Sequence, residues 1–209
     1  MEKPADTQYP IHKLLQRRWS PRAYSDRLVE PEKLCSLLEA ARWAPSSFNE
    51  QPWSFIVATK ENMTEYNRLL SCLVEKNMQW AKLAPVLILS VAKLHFERNS
   101  RENRHAFHDV GLAVENLVIQ AMALDLFGQQ MAGFDVEKAR EIFSIPEGYE
   151  PVTTIAIGYM GEPQTLPEQF REEELVVRVR KPLETFVFTG NWGETLPLVI
   201  DRNYFVTNK

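Results

Sequence analysis

The chain has 209 residues, of which 44% are hydrophobic, 11% aromatic and 25% charged; these proportions suit an ordinary globular protein with a sizeable core and argue against a disordered or fibrous one. With 28 acidic against 24 basic side chains the net charge is −4, which argues against a nucleic-acid partner held by a broad basic face. No apolar run is long enough to cross a bilayer and residues 1–10 have no apolar core, so a cytoplasmic protein without a membrane partner is expected. No low-complexity stretch offers a linker. A single domain over 1–209 follows, with an N-terminal extension over 1–10 and a C-terminal arm over 190–209. Cys35 and Cys72 both fall in apolar helical patterns and are expected as packed thiols in a reducing compartment rather than as a disulfide or a metal site.

In chain order, residues 11–16 form a short amphipathic segment that runs into Arg17-Arg18-Trp19-Ser20-Pro21-Arg22, where Pro21 forbids a smooth helix interior and sets the arginines at a helix end or turn. Leu34, Leu37, Leu38 and Ala41 repeat at i, i+3, i+4, i+7 behind Pro31, which predicts a helix to about Trp43 that Pro45 stops. Residues 54–59 and 86–91 read as buried strands, with helical patterns over 63–74 and a shorter one ending near Leu83 between them. The polar, charged stretch 94–104 is expected to be a mobile loop. The longest helix is expected over 106–127, with Gly128 as its stop. Its apolar stripe is wide enough for a central core helix or one that packs on a second subunit. Asp135 is a good N-cap for a helix ending near Phe143, and 152–159 reads as a third strand. Helices alternate with too few strands for a doubly wound sheet, so an α+β sandwich is expected. After the acidic helical segment 168–174 come Arg178, Arg180 and Lys181. An apolar tail follows, with Trp192, Leu196, Leu198, Val199, Ile200, Tyr204 and Phe205 and no helix or hairpin period of its own. Such a tail is costly in water and is expected to wrap another surface, in the same protomer or its neighbour.

The eight glycines form no Gly-x-Gly-x-x-Gly and no Gly-Lys-Ser/Thr loop, and neither a Gly-x-Ser-x-Gly elbow nor a His-Glu-x-x-His helix is present. His105-x-x-His108-Asp109 is the one metal-like cluster. It lacks a second ligand group at a recognisable spacing, so a helix N-terminus with Asp109 favouring the dipole is the simpler reading, and a histidine bordering a substrate pocket is a third. No metal is expected. Two other segments carry more information. In Arg18-Trp19-Ser20-Pro21-Arg22 the guanidinium forks and a hydroxyl suit a phosphate, or else make a solvated basic turn. In Pro45-Ser46-Ser47-Phe48-Asn49-Glu50-Gln51-Pro52-Trp53, two carboxamides and two hydroxyls sit in a helix-to-strand loop. Carboxamides present donor and acceptor together, as the uracil-like edge of an isoalloxazine requires, though an ordinary polar capping loop has the same composition.

Taken in this order, the two segments resemble the FMN-dependent nitroreductase family, whose members carry Arg-x-Ser-x-Arg/Lys followed by Pro-Ser-Ser/Thr-x-Asn-x-Gln-Pro-Trp. The similarity continues through the long helix, Gln130-Met131-Ala132-Gly133-Phe134-Asp135, Ile157-Gly158-Tyr159 and Arg178-Val179-Arg180-Lys181-Pro182-Leu183, covering about 11–193. The resemblance implies a nitroreductase-like α+β sandwich, a central mixed sheet flanked by helices, in an obligate homodimer with exchanged terminal arms. It implies FMN held by Arg18, Trp19, Ser20 and Arg22 and by Arg178 and Arg180 at the phosphate, ribityl and pyrimidine groups. Pro45, Ser46, Ser47, Asn49 and Gln51 would line ring and ribityl chain, and Met131, Ala132 and Gly133 the flavin N5 edge. Trp19 and Ala132 depart from the family pattern, which often has a basic and an acidic residue there. The implied activity is hydride transfer from NADH or NADPH through the flavin to a nitroaromatic, quinone or other electron-poor small molecule, with no catalytic acid or base from the protein. Alternatives on the same fold are a non-catalytic FMN-binding or storage module and a flavin-dependent reductive dehalogenase.

Overall fold

A computed structural model describes residues 2–200. The elements are α1 (Lys13–Arg17), α2 (Pro31–Arg42), β1 (Trp53–Thr59), α3 (Met63–Leu70), α4 (Glu75–Ala81), β2 (Val86–Lys93), α5 (Ala106–Ala123), β3 (Phe127–Met131), α6 (Val136–Ile142), β4 (Tyr149–Gly158) and α7 (Glu168–Leu175). The strands form one sheet in the order β1-β2-β4-β3. Side chains along β2 alternate between its faces, as a strand buried on both sides must. Leu87, Leu89 and Val91 join a core with Trp19, Tyr24 and residues of α3, α4, α6 and α7, whereas Val86, Ile88 and Ala92 pack with α2 and α5. The fold is therefore an α+β sandwich with helices on both faces.

Every adjacent strand pair is antiparallel, so the expected mixed sheet does not form among the described strands. The register gives the reason. Val86 at the start of β2 faces Ile157, and Phe127 at the start of β3 faces Gly158, so β2 and β3 run the same way, as a helical crossover through α5 demands. The last strand, β4, then inserts between them and pairs antiparallel with both.

Boundaries also differ from expectation. Helix α5 ends at Ala123, and Phe127–Met131, expected as helix end and loop, is an edge strand. Asp125 adopts φ 58° while Leu126 N–H reaches Ala121 O (2.9 Å) and Asp125 N–H reaches Met122 O (3.3 Å), a left-handed closure in which an aspartate fills the usual glycine position. Gly128 instead gives room for packing: a Cβ there would lie 3.0 Å from Ile157 and 3.1 Å from Val118. Helix α3 stops at Leu70 rather than running to 74, because the chain turns to bridge Leu73 to Phe134. The polar stretch 94–104 is a hairpin, with Phe96 N–H on Arg101 O (2.8 Å), Asn103 N–H on Leu94 O (2.7 Å) and a bridge between His95 and Glu102. Cys72 is buried as expected, which raises its thiol pKa, but Cys35 falls just off the apolar stripe of α2 and is exposed.

Contacts divide the chain into two compact units, one up to Val176 and one from Val177 onward. The second does have a hairpin, contrary to the reading of its sequence: Phe188 bridges Thr195, Thr189 N–H reaches Glu194 O (2.9 Å), and the Phe188 and Trp192 rings pack 5.2 Å apart. Tyr204 and Phe205 lie outside the described residues. Among the described residues no helix is long and apolar enough to cross a membrane.

Candidate active site

The basic stretch follows α1 as extended backbone, so consecutive side chains point to opposite sides. Trp19 and Pro21 are buried, while Ser20 is exposed and Arg18 half-buried. The Trp19 side chain therefore belongs to the core, edge-on to Phe127 at 6.5 Å. Arg18 Nη1 donates to Ser20 Oγ at 3.2 Å. Its neighbours are already matched: Arg17 pairs with Asp125 (3.4 Å) and Glu2 (3.7 Å), and Arg22 with Glu173 (3.0 Å). Arg18 has no carboxylate partner among the described residues. The turn itself is held by Glu174. Its carboxylate, 2% exposed, accepts the Arg22 N–H at 3.0 and 3.1 Å on its two oxygens and the Ala23 N–H at 3.1 Å.

At the end of β3, the Met131 side chain is buried and its carbonyl accepts the Thr153 hydroxyl at 2.9 Å, while Ala132 is exposed. The Gly133 carbonyl accepts Val74 N–H (3.1 Å) and Asn77 Nδ2 (3.0 Å), which fixes this turn on the N-terminal end of α4. A Cβ on Gly133 would lie 2.6 Å from Asn77 Nδ2 and 2.9 Å from Val74 Cγ2, so only glycine allows so close an approach. The Gly133 N–H has no hydrogen-bond partner among the described residues. Lys76, also on α4, lies 3.3 Å from Glu173, the partner of Arg22, so α4 gathers the basic stretch and the glycine turn on one side of the sheet.

The third segment, 45–52, is strained. Phe48, Asn49 and Gln51 have φ of 55°, 57° and 52°. A bulky phenylalanine in the left-handed region costs on the order of 1–2 kcal/mol, which surrounding contacts must offset. Ser46 Oγ accepts the Gln51 N–H (3.0 Å), and Gln51 Nε2 donates to Asn49 O (3.1 Å). Asp109, in the first turn of α5, accepts the Ser47 N–H on Oδ2 at 3.0 Å and lies 3.2 Å from His108 Nδ1 through Oδ1. The Glu50 carboxylate accepts Glu97 N–H from the 94–104 hairpin. Pro45 and Asn49 are exposed, and the Asn49 carboxamide has no partner among the described residues.

Sequence reading did not single out Asp109 and Glu174 as structural anchors, although each carried a signal. Asp109 precedes Val110 on the apolar stripe of α5, and Glu174 falls four residues after the buried Phe170 on α7. A carboxylate on a buried stripe needs partners, and here both take backbone N–H groups.

The segments do not converge within one chain. The 45–52 loop is tied to α5 on one face of the sheet, and the other two segments gather around α4 on the opposite face. Both the loop before β1 and the turn after β3 leave the same end of the sheet, but from opposite edges, three strand spacings or about 14 Å apart. Arg178 and Arg180 belong to the second unit, where Arg180 is exposed with Nη1 on Val179 O at 2.9 Å.

Residues 15–159, more than half of the chain, match the model of the Nitroreductase family, and the chain belongs to that family. It superposes on a solved structure described as an oxidoreductase containing FMN with a TM-score of 0.86 and 32% identity, covering 91% of this chain and 96% of that one. It is 33% identical over 157 residues, 71% of this chain and 76% of the relative, to a Methanothermobacter thermautotrophicus protein named provisionally as an NADH dehydrogenase/NAD(P)H nitroreductase. Identity to the major NAD(P)H-flavin oxidoreductase of Aliivibrio fischeri is 27% over 191 residues, covering 72% and 88% of the two chains.

Proposed function

We propose that this protein is an FMN-dependent oxidoreductase that uses NADH or NADPH to reduce nitroaromatics, quinones or other electron-poor small molecules, at a site completed by a second copy of the chain. One observation carries the reading: in a stretch of three arginines, Arg18 alone keeps a guanidinium without a carboxylate, set beside the Ser20 hydroxyl. Such a pair suits a phosphate monoester, where charge-assisted bonds are short and strong. Bound FMN would supply the redox chemistry, taking a hydride from the nicotinamide and giving two electrons to the acceptor.

The chain's own part is to hold and orient. Arg18 and Ser20 would grip the phosphate end. Arg22, tied to Glu173, contributes through its backbone turn. The unpartnered Gly133 N–H would be a donor for the flavin N5 edge, and the open Asn49 carboxamide, with Ser46, Ser47 and Gln51, would line the ring. The Asn49 loop and the Arg18 stretch lie on opposite faces of one sheet, which favours a flavin held between two subunits, and a homodimer would also cover the exposed Trp43 and Phe107.

The test is a titration of FMN into the apoprotein and its Arg18→Ala and Arg22→Ala variants. Arg18→Ala should weaken binding by roughly 1.5–3 kcal/mol, and Arg22→Ala by less. Equal affinity for wild type and Arg18→Ala would overturn the phosphate assignment. A flavin spectrum that bleaches with NAD(P)H distinguishes an oxidoreductase from a storage module.

A further inference from the structure

Beside the 45–52 loop lies a cation that the reading above does not use. Arg98, at the tip of the 94–104 hairpin, sets its guanidinium carbon 4.1 Å from the centre of the Phe48 ring and 5.4 Å from that of Phe96. The two rings meet edge to face at 5.8 Å. Phe48 is 72% exposed and stands next to Asn49, held there by a backbone conformation that phenylalanine seldom adopts. Arg98 has neither an ion pair nor a hydrogen bond among the described residues. Glu97, next to it in the chain, lies 3.7 Å from Lys93 Nζ, and Glu50 takes the Glu97 N–H. The guanidinium sits over the Phe48 ring and its N–H donors have no protein acceptor among the described residues, so they are available to receive a carboxylate in the guanidinium plane.

We propose that Phe48 and Arg98 are specificity-determining residues that select an aromatic acceptor bearing an anionic group. This rests on the assignment of the Asn49 loop to the flavin: an acceptor stacked there meets the Phe48 ring with its own ring and Arg98 with its charge. The strain at Phe48 agrees, because outliers of this kind persist where their neighbours over-determine them and cluster at ligand clamps.

The experiment compares 4-nitrobenzoate with 4-nitrobenzamide, which share ring and nitro group and differ in charge, on the FMN-loaded protein. Wild type should favour the benzoate in kcat/KM by about fivefold or more, the scale of one partly exposed charge pair. Arg98→Gln should bring the ratio close to one, and Arg98→Lys should restore part of it. Arg104→Gln, a second hairpin arginine with no ring beneath it among the described residues, should keep the wild-type ratio. A wild-type ratio near one, a ratio unmoved in Arg98→Gln, or equal losses in Arg98→Gln and Arg104→Gln would each overturn the proposal. So would a variant that alters NADPH against NADH preference and not the acceptor ratio, since the anion would then belong to the donor. Calorimetric titration of the same two acceptors gives the ratio as binding constants even if neither is turned over. Absence of turnover with a preserved benzoate preference therefore counts against the oxidoreductase reading and not against this one.

Discussion

The stretch bearing Arg18 and the loop bearing Asn49 are both held by a buried carboxylate that accepts backbone N–H groups, yet they differ in how far the backbone departs from ordinary geometry. Around Arg18 the chain is extended, and Glu174 satisfies two consecutive N–H groups of a turn packed on a large core that includes Trp19 and Tyr24. Around Asn49 three non-glycine residues are left-handed, and Asp109 supplies one bond to a loop whose tip is mostly exposed. The first arrangement fixes a cation by packing. The second stores strain and relies on few contacts to keep two carboxamides in place.

The sharpest way to break this contrast is to remove the better buried anchor. Glu174→Ala leaves the buried Ala23 N–H and the partly buried Arg22 N–H without an acceptor and should cost about 3 kcal/mol in urea unfolding, with Glu174→Gln intermediate because it keeps one oxygen. Asp109→Ala should cost less, about 2 kcal/mol, but weaken FMN binding out of proportion to its effect on the fold. Asp109→Asn, which retains an acceptor for Ser47 N–H, should restore most of both. If the two alanine variants lose stability and flavin affinity in the same proportion, the proposed difference between the regions fails. Gly133→Ala forces Asn77 and Val74 aside and should cost about 1–2 kcal/mol in thermal unfolding, with the glycine turn moving relative to α4.

The smallest effect concerns pH. The Tyr159 hydroxyl donates to Glu30 at 2.6 Å, and with the residue's own backbone N–H and Arg27 it holds the carboxyl at about 2, below its ordinary 4.5. A depressed folded pKa adds stability that is complete above 4.5 and lost as pH falls through about 2. Because the pair is only partly buried and solvent screens it, the change in stability should be slight. Carboxyl titration followed by NMR should still give a midpoint for Glu30 near 2, and a midpoint near 4.5 would show that the Glu30–Tyr159 bond does not form in solution.

Much of the fold could be read from spacing, because buried helices announce themselves by period. Leu34, Leu37, Leu38 and Ala41 placed α2, and the stripe from Val110 to Met122 placed most of α5. The failures share a physical cause. Phe127-Gly128-Gln129-Gln130-Met131 lacks both β-branching and a strict alternation, and becomes a strand through its pairing with β4. Asp125 closes a helix where glycine is the usual signal, so Gly128 drew the boundary too far. In the site, residue types and order single out the segments but not the state of each side chain in them. Which arginine remains unmatched, and that Trp19 turns inward, depends on partners 100 or more residues away, such as Asp125, Phe127 and Glu173.

Helix α5 joins the two halves mechanically. Its first turn grips Ser47 through Asp109, and the closure beyond its last turn carries Asp125, the partner of Arg17 next to Arg18. Eighteen residues at 1.5 Å each make a rod of about 27 Å, and a close-packed rod does not stretch. It therefore serves as a spacer: a residue swapped midway along it, in contact with neither end, would shift both grips together, and the reach from Ser47 to Arg17 within one chain follows the length of one helix.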